Sequence, residues 1–232
     1  MPTINLKHSN TLLITGIAIA ILFYPVVGGL LYWGRPYSVA NIFTSRLLIW
    51  LEVLLLYFYA RKVERNNLLL WSEVDYGFWF YPASVLVLYL LAIANGVISS
   101  IPRFFGWHDN YKVVNSMMGL ITKNTALMIF GGITAGVTEE LIFRAYLVPR
   151  LTLLFKNRYL PVIISSLMFA AIHYRYYNLK EVIFAFLIGV IFAIHYQMYR
   201  NIKVLMLTHA IIDLIAFLIF RTAQAHHIPI KY

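Results

Sequence analysis

The chain contains no cysteine, so disulfides, thiol nucleophiles and cysteine-ligated metals are all excluded. Charge is scarce as well. Only 12% of the 232 residues are charged, against about a quarter in soluble domains. Acids are scarcer still, nine Asp and Glu against nineteen Lys and Arg. No basic run interleaved with aromatic residues offers a platform for nucleic acid. What the chain has instead is apolar surface: 61% of its residues are hydrophobic and 16% aromatic. A helical span of a bilayer needs about 20 such residues. The expected fold is therefore all-α, a polytopic integral membrane protein of about seven (six to eight) transmembrane helices around a conical or bundled core, with no separate soluble domain.

The net charge of +10 fits Lys and Arg gathered at helix ends, where they snorkel to headgroups. The apolar run after residues 1–10 lacks a small-residue cleavage site and reads as a retained first span. The spans are expected at about 11–32, with Pro25 and Gly28–Gly29 loosening the second half and Arg35–Pro36 closing it. Others follow at 41–59, 78–99, 125–148, 161–173, 181–199 and 204–220. Residues 66–76 read as an interfacial connector anchored by Trp71, Tyr76 and Trp79. Residues 101–123 read as a loop with a short surface helix, and His108–Asp109 as a solvated turn. His195, His226 and His227 read as structural or solvated, and Glu52 as a structural acid. Basic residues in the short loops favour spans two, four and six ending in the cytoplasm.

Against this background the segment Thr134–Pro149 is unusual. It places Glu139 and Glu140 side by side, with Arg144, inside an apolar helix. Each ionisable group at that depth costs roughly 2.5–3.5 kcal/mol on insertion scales. Gly132 and Gly136 form a small-xxx-small pair that Glu140 continues, and Gly131 and Ala135 lead to Glu139, so the acids face a tightly packed neighbour and not lipid. Arg144 lies one turn beyond Glu140, in reach of an ion pair. Counted at about 1.5 Å per residue, the acids lie about 15 Å in from Arg150. Asp213 lies about 15 Å and His209 about 9 Å in from Lys203, and His173 about 20 Å from Tyr159. Three helices thus bring acids and histidines into one slab. A Glu–His pair can deprotonate a water, and a second His can stabilise the oxyanion formed when that water attacks a peptide carbonyl. Two His and a carboxylate could equally bind zinc, although the HExxH spacing is absent.

At these residues the sequence resembles the CAAX protease and bacteriocin-processing family, intramembrane proteases related to the Ras-converting enzyme. The family pattern EExxxR, FxxxH and HxxxN/D reads here as Glu139-Glu140 to Arg144, Phe169 to His173, and His209 to Asp213. The resemblance covers about residues 131–220. Residues 1–124 match no motif, 125–220 form the expected catalytic core, and 221–232 a polar tail. It implies that Glu139 and His173 activate water, that His209 with Asp213 lines an oxyanion hole, and that Arg144 orients or neutralises Glu140. The CAAX-cleaving branch has Asn where this chain has Asp213. An ionised Asp cannot donate to an oxyanion, so Asp213 either carries a proton or holds His209 as the donor.

The expected function is an intramembrane glutamate-type endopeptidase, acting without a cofactor on a peptide or a membrane-associated protein. A pheromone or bacteriocin precursor is an example of such a substrate. Zinc at the same residues, and a non-proteolytic membrane protein for self-immunity or scaffolding, stand as alternatives. The lipid bilayer is the expected partner and a bacterial plasma membrane the expected location. Oligomeric state cannot be read from the sequence.

Overall fold

A computed structural model describes residues 10–32, 34–35 and 38–226. The expectations for Pro36, His227 and the chain ends fall outside these residues. The described residues form eight helices and no strand: α1 Asn10–Tyr32, α2 Val39–Glu64, α3 Phe80–Phe104, α4 Lys112–Lys123, α5 Thr125–Phe155, α6 Tyr159–His173, α7 Leu179–Tyr199 and α8 Ile202–Ala225. Six of them are long and apolar enough to cross a membrane. The exception among the seven expected spans is α6, whose 15 residues reach only about 22 Å at 1.5 Å each. The other short helix is α4, which presents Val114, Met118 and Ile121 to the bundle. Large apolar side chains such as Leu86, Val87 and Leu90 of α3 stay exposed, as expected of a surface solvated by lipid.

Two packed pairs hold the centre: α6 against α7, and α8 against the first half of α5. The second pair is closer than side chains allow. A Cβ placed on Gly136 would lie 2.6 Å from the Ala210 amide nitrogen and 2.8 Å from the Met206 carbonyl oxygen. Only a glycine lets the two backbones meet there, which is the small-residue logic of helix contact in lipid. At Gly132 the nearest neighbour is the Leu214 side chain, at 3.1 Å. Gly189 of α7 likewise rests on Ser166 of α6.

The fourth expected span ends later than the sequence suggests. Pro149 does not stop α5, which continues to Phe155 and closes at Lys156 in the left-handed conformation. The physical reason is a π-helical stretch over Leu141–Leu147 immediately before it. Pro149 therefore occupies the first turn of a new α-helical segment, where a missing N–H does little harm. The Phe143 carbonyl in this stretch accepts a hydrogen bond from Ser165 Oγ of α6 at 2.8 Å. Pro25 similarly lies in a π-helical turn, Tyr24–Gly28, within α1.

Arg150 does not extend outward from the protein either. It is fully buried, and its guanidinium binds Glu64 at the end of α2, with Nε 2.9 and 3.0 Å from the two carboxylate oxygens. Tyr146 donates to the same carboxylate at 2.9 Å, and the Arg150 guanidinium lies over the Tyr146 ring. The pair fastens α2 to α5 at one end of the molecule.

The connector after α2 docks on α7 through Trp71, stacked on Tyr196 at 5.5 Å, and through Tyr76, which donates to the Tyr199 carbonyl at 3.0 Å. Of the three expected anchors Trp79 alone is well exposed. Glu73 accepts from the Ile202 amide at 3.0 Å and so caps α8, and burial raises its pKa above the usual carboxylate value, opposed by that hydrogen bond. His108 is exposed. Its neighbour Asp109, expected in a solvated turn, instead accepts from the Leu179 amide at 2.7 Å and pins that turn to the start of α7. At the other end of the chain the expected tail begins later, because residues up to Ala225 continue α8.

Candidate active site

The close approach at Gly136 brings the next turn of α5 against α8. Glu140, fully buried, continues the Gly132–Gly136 row and accepts two hydrogen bonds on one oxygen, Oε1. Arg144 Nη1 donates at 2.8 Å and His209 Nδ1–H at 2.7 Å. The Arg144 guanidinium is itself clamped, 4.3 Å above the Phe169 ring and 5.6 Å from that of Phe192. Arg144, Glu140 and His209 therefore form a buried chain whose far end is the imidazole. With Nδ1–H committed to Glu140, His209 turns Nε2 toward open space. There it stands 3.9 Å from Glu139 Oε2 and 4.0 Å from Asp213 Oδ1.

His173 is held by the same logic on another helix. Its Nδ1–H donates to the carbonyl of Phe169 one turn back, at 2.8 Å, and its ring packs on the Phe169 and Tyr176 rings. Nε2 of His173 is left with a lone pair and no use for it inside the helix. Phe169 thus serves both halves of the site, as the platform under Arg144 and the clamp on His173.

Glu139 points away from Glu140. Its closest charged partner is Arg46 of α2, with Nη1 3.6 Å from Oε1. Two cavities of about 300 and 290 Å³ meet at this carboxylate, and Glu139, His173, Arg46, Tyr176 and Met117 line both. The first lies between α1, α2 and α5. The second contains His209, Asp213, Glu140 and Glu181 between α5, α7 and α8. Glu139 and His173 thus stand where the two cavities share a wall.

All six residues singled out in the sequence line the second cavity, and Glu139 and His173 line the first as well. The geometry differs from expectation in two respects. Glu139 does not share the tightly packed face of Glu140: it opens on both cavities, and a Cβ on Gly131 in its row would meet nothing within 4 Å. The tight partner of His209 is Glu140 at 2.7 Å, and Asp213 stands farther off at 4.0 Å. Asp213 reaches His209 through Nε2, not through the nitrogen that fixes the ring. Among the described residues no group of three or more His, Asp or Glu side chains is arranged to hold a metal ion. His195 is remote from this cluster, packed between the Phe80 and Tyr199 rings.

Sequence reasoning missed Arg46, Tyr176 and Glu181 as cavity residues. For Arg46 there was a signal, a lone arginine well inside the second span. Its partner could not be read, because nothing in the sequence pairs α2 with α5. Tyr176 follows His173 by three residues on a 3₁₀ turn, which carries it round to the cavity.

Neither a curated protein nor a solved structure gives a significant match to the chain. A family model does, over residues 121–215, a segment running from the end of α4 into α8 and containing every one of the motif residues. This segment, in a chain with six helices long and apolar enough to cross a membrane, is therefore similar to the type II CAAX prenyl endopeptidase Rce1-like family, a family of peptidases.

Proposed function

We propose that this protein hydrolyses a peptide bond within the membrane, using a water held between Glu139 and His173. The observation that carries the proposal is the position of these two side chains where both cavities meet, with His209 Nε2 3.9 Å from Glu139. A substrate segment lying across the two cavities would present its scissile carbonyl at that junction.

Glu139 removes a proton from the water as the oxygen attacks the carbonyl carbon, while His173 Nε2 accepts a hydrogen bond from the same water. Negative charge develops on the carbonyl oxygen. His209, held by Glu140 and carrying a proton on Nε2, donates to it. The proton on Glu139 then passes to the amide nitrogen as the carbon–nitrogen bond breaks, which leaves a carboxylate and an amine. Arg144 acts at one remove, by holding Glu140 against His209. Arg46 holds Glu139 at the junction and balances its charge. Asp213 stands 4.0 Å from His209 Nε2 and does not itself need to donate. No metal takes part in this route. The substrate is a peptide or the tail of a membrane-associated protein.

Full-length protein in lipid nanodiscs, with acylated peptides as substrates, tests the reading. Wild type is expected to cleave at one bond, and Glu139→Gln and His173→Ala to lose at least about 100-fold in kcat while remaining folded. Cleavage that survives both substitutions sinks the assignment. Activity that tracks bound zinc across preparations sinks the metal-free route while sparing the residues.

A further inference from the structure

The first cavity contains an acid that the proposed hydrolysis does not use. Glu52 lies at the middle of α2, about 18–20 Å from either end, the most expensive depth for a carboxyl group. It is 2% exposed and lines the cavity together with Arg46 and Glu139. Ala20, Ile21, Ile49, Ile142 and Phe143 make up much of the surrounding wall. Among the described residues no side chain or backbone group forms a hydrogen bond or ion pair with it, whereas Glu64, on the same helix, is saturated by Arg150 and Tyr146. A buried carboxyl without a partner forgoes the hydrogen bonds that water would give it. A structural role therefore does not explain its retention: nothing in the fold is tied by it.

We infer that Glu52 is a specificity-determining residue that accepts a hydrogen bond from an uncharged donor, a carboxamide or hydroxyl side chain, on the substrate segment occupying the first cavity. The class of donor follows from the rest of the lining. Arg35, Arg46 and Arg175 border the same space against two acids, Glu52 and Glu139, the second of them paired with Arg46, so the lining is net positive and disfavours a lysine or arginine side chain. An aliphatic side chain fits the wall and leaves the carboxyl unpaired. A carboxamide or hydroxyl satisfies the acid and adds no charge. Selection of this kind is sharper than selection by size, because the wrong substrate leaves a buried polar group without its partner.

The inference rests on the peptide-hydrolysis reading, and the test separates the two. Short acylated peptides carrying Gln, Leu or Lys at each position in turn are measured for binding to full-length Glu139→Gln protein in nanodiscs, and for cleavage by protein with Glu139 intact. At one position Gln is expected to bind about tenfold more tightly than Leu and to lower KM with little change in kcat. Glu52→Leu should abolish or invert that preference and leave thermal stability equal or higher, since it completes an apolar wall. Glu52→Gln, which keeps an acceptor, should retain the preference. The inference is overturned if the preference survives Glu52→Leu, if Lys is the favoured residue, if no position discriminates, or if Glu52→Leu unfolds the protein while Glu52→Gln does not. Selective binding without any cleavage would overturn the hydrolytic reading and leave the subsite standing.

Discussion

Glu140 and Glu139 are neighbours in sequence and opposites in circumstance. Glu140 is sealed between Arg144 and His209, and its loss would strand a buried guanidinium. Glu140→Ala is therefore expected to destabilise the protein by about 3–5 kcal/mol, as removal of one partner of a buried pair does. Thermal unfolding in detergent would register it. Glu139 borders two cavities and pairs loosely with Arg46. Its loss should stop turnover with little effect on unfolding. Arg46→Met is expected to lower kcat about tenfold or more through mispositioning of Glu139, with partial rescue by Arg46→Lys, which restores the charge. Steady-state kinetics on the same peptides read both. The sequence distinguished the two acids because a helical step of about 100° sends adjacent side chains to different neighbours. It could not say that Glu140 serves His209, since that bond depends on how closely α5 and α8 approach.

At the scale of elements, that approach is set by one glycine. Gly136→Ala places a methyl against the backbone of α8, so the two helices must separate, and about 1–3 kcal/mol of stability should be lost. Activity should fall with it, because His209 moves with α8. Gly131 is the control: a Cβ there meets nothing within 4 Å, and Gly131→Ala should be neutral or stabilise by about 0.5–1 kcal/mol. The two glycines are five residues apart and look alike in the sequence. Helix α8 is also held at its start, by Glu73. Burial raises the pKa of Glu73, so the folded state holds its proton to higher pH than the unfolded chain. Stability should then decline as pH rises from the unfolded carboxylate value, near 4.5, through the raised folded one. Glu73→Gln is expected to flatten that slope in a pH series of unfolding temperatures. The spans themselves were legible from apolar length. The continuation of α5 past Pro149 was not, because proline's usual effect presumes an α-helix on its N-terminal side.

Across the whole molecule, the family-matched segment at 121–215 is incomplete as a site. Arg46 and Glu52 come from α2, outside the match, and the first cavity needs α1 and α2 for its walls. The residues that α1 and α2 give to the first cavity are scattered singly, with no fixed spacing, and so form no motif in the sequence. The Glu64–Arg150 bond fastens one end of α2 to α5, alongside the Trp50–Thr134 hydrogen bond and the Arg46–Glu139 pair farther along. Arg150→Met should cost about 3–5 kcal/mol by leaving Glu64 unpaired, and Glu64→Gln combined with Arg150→Met much less. A double-mutant cycle by thermal unfolding measures the difference.

The π-helical stretch of α5 gives that helix two facings. In an unbroken α-helix the angle between residues 140 and 150 is fixed by ten steps of about 100° each. The wider turns of Leu141–Leu147 alter that angular phase between them. One continuous rod thereby aims Glu140 at α8 above the change in register and Arg150 at α2 below it. Insertion or deletion of a single residue within the stretch would act as a gear change. The glycine contact would keep the first half in mesh, while Arg150 turned out of reach of Glu64 toward lipid.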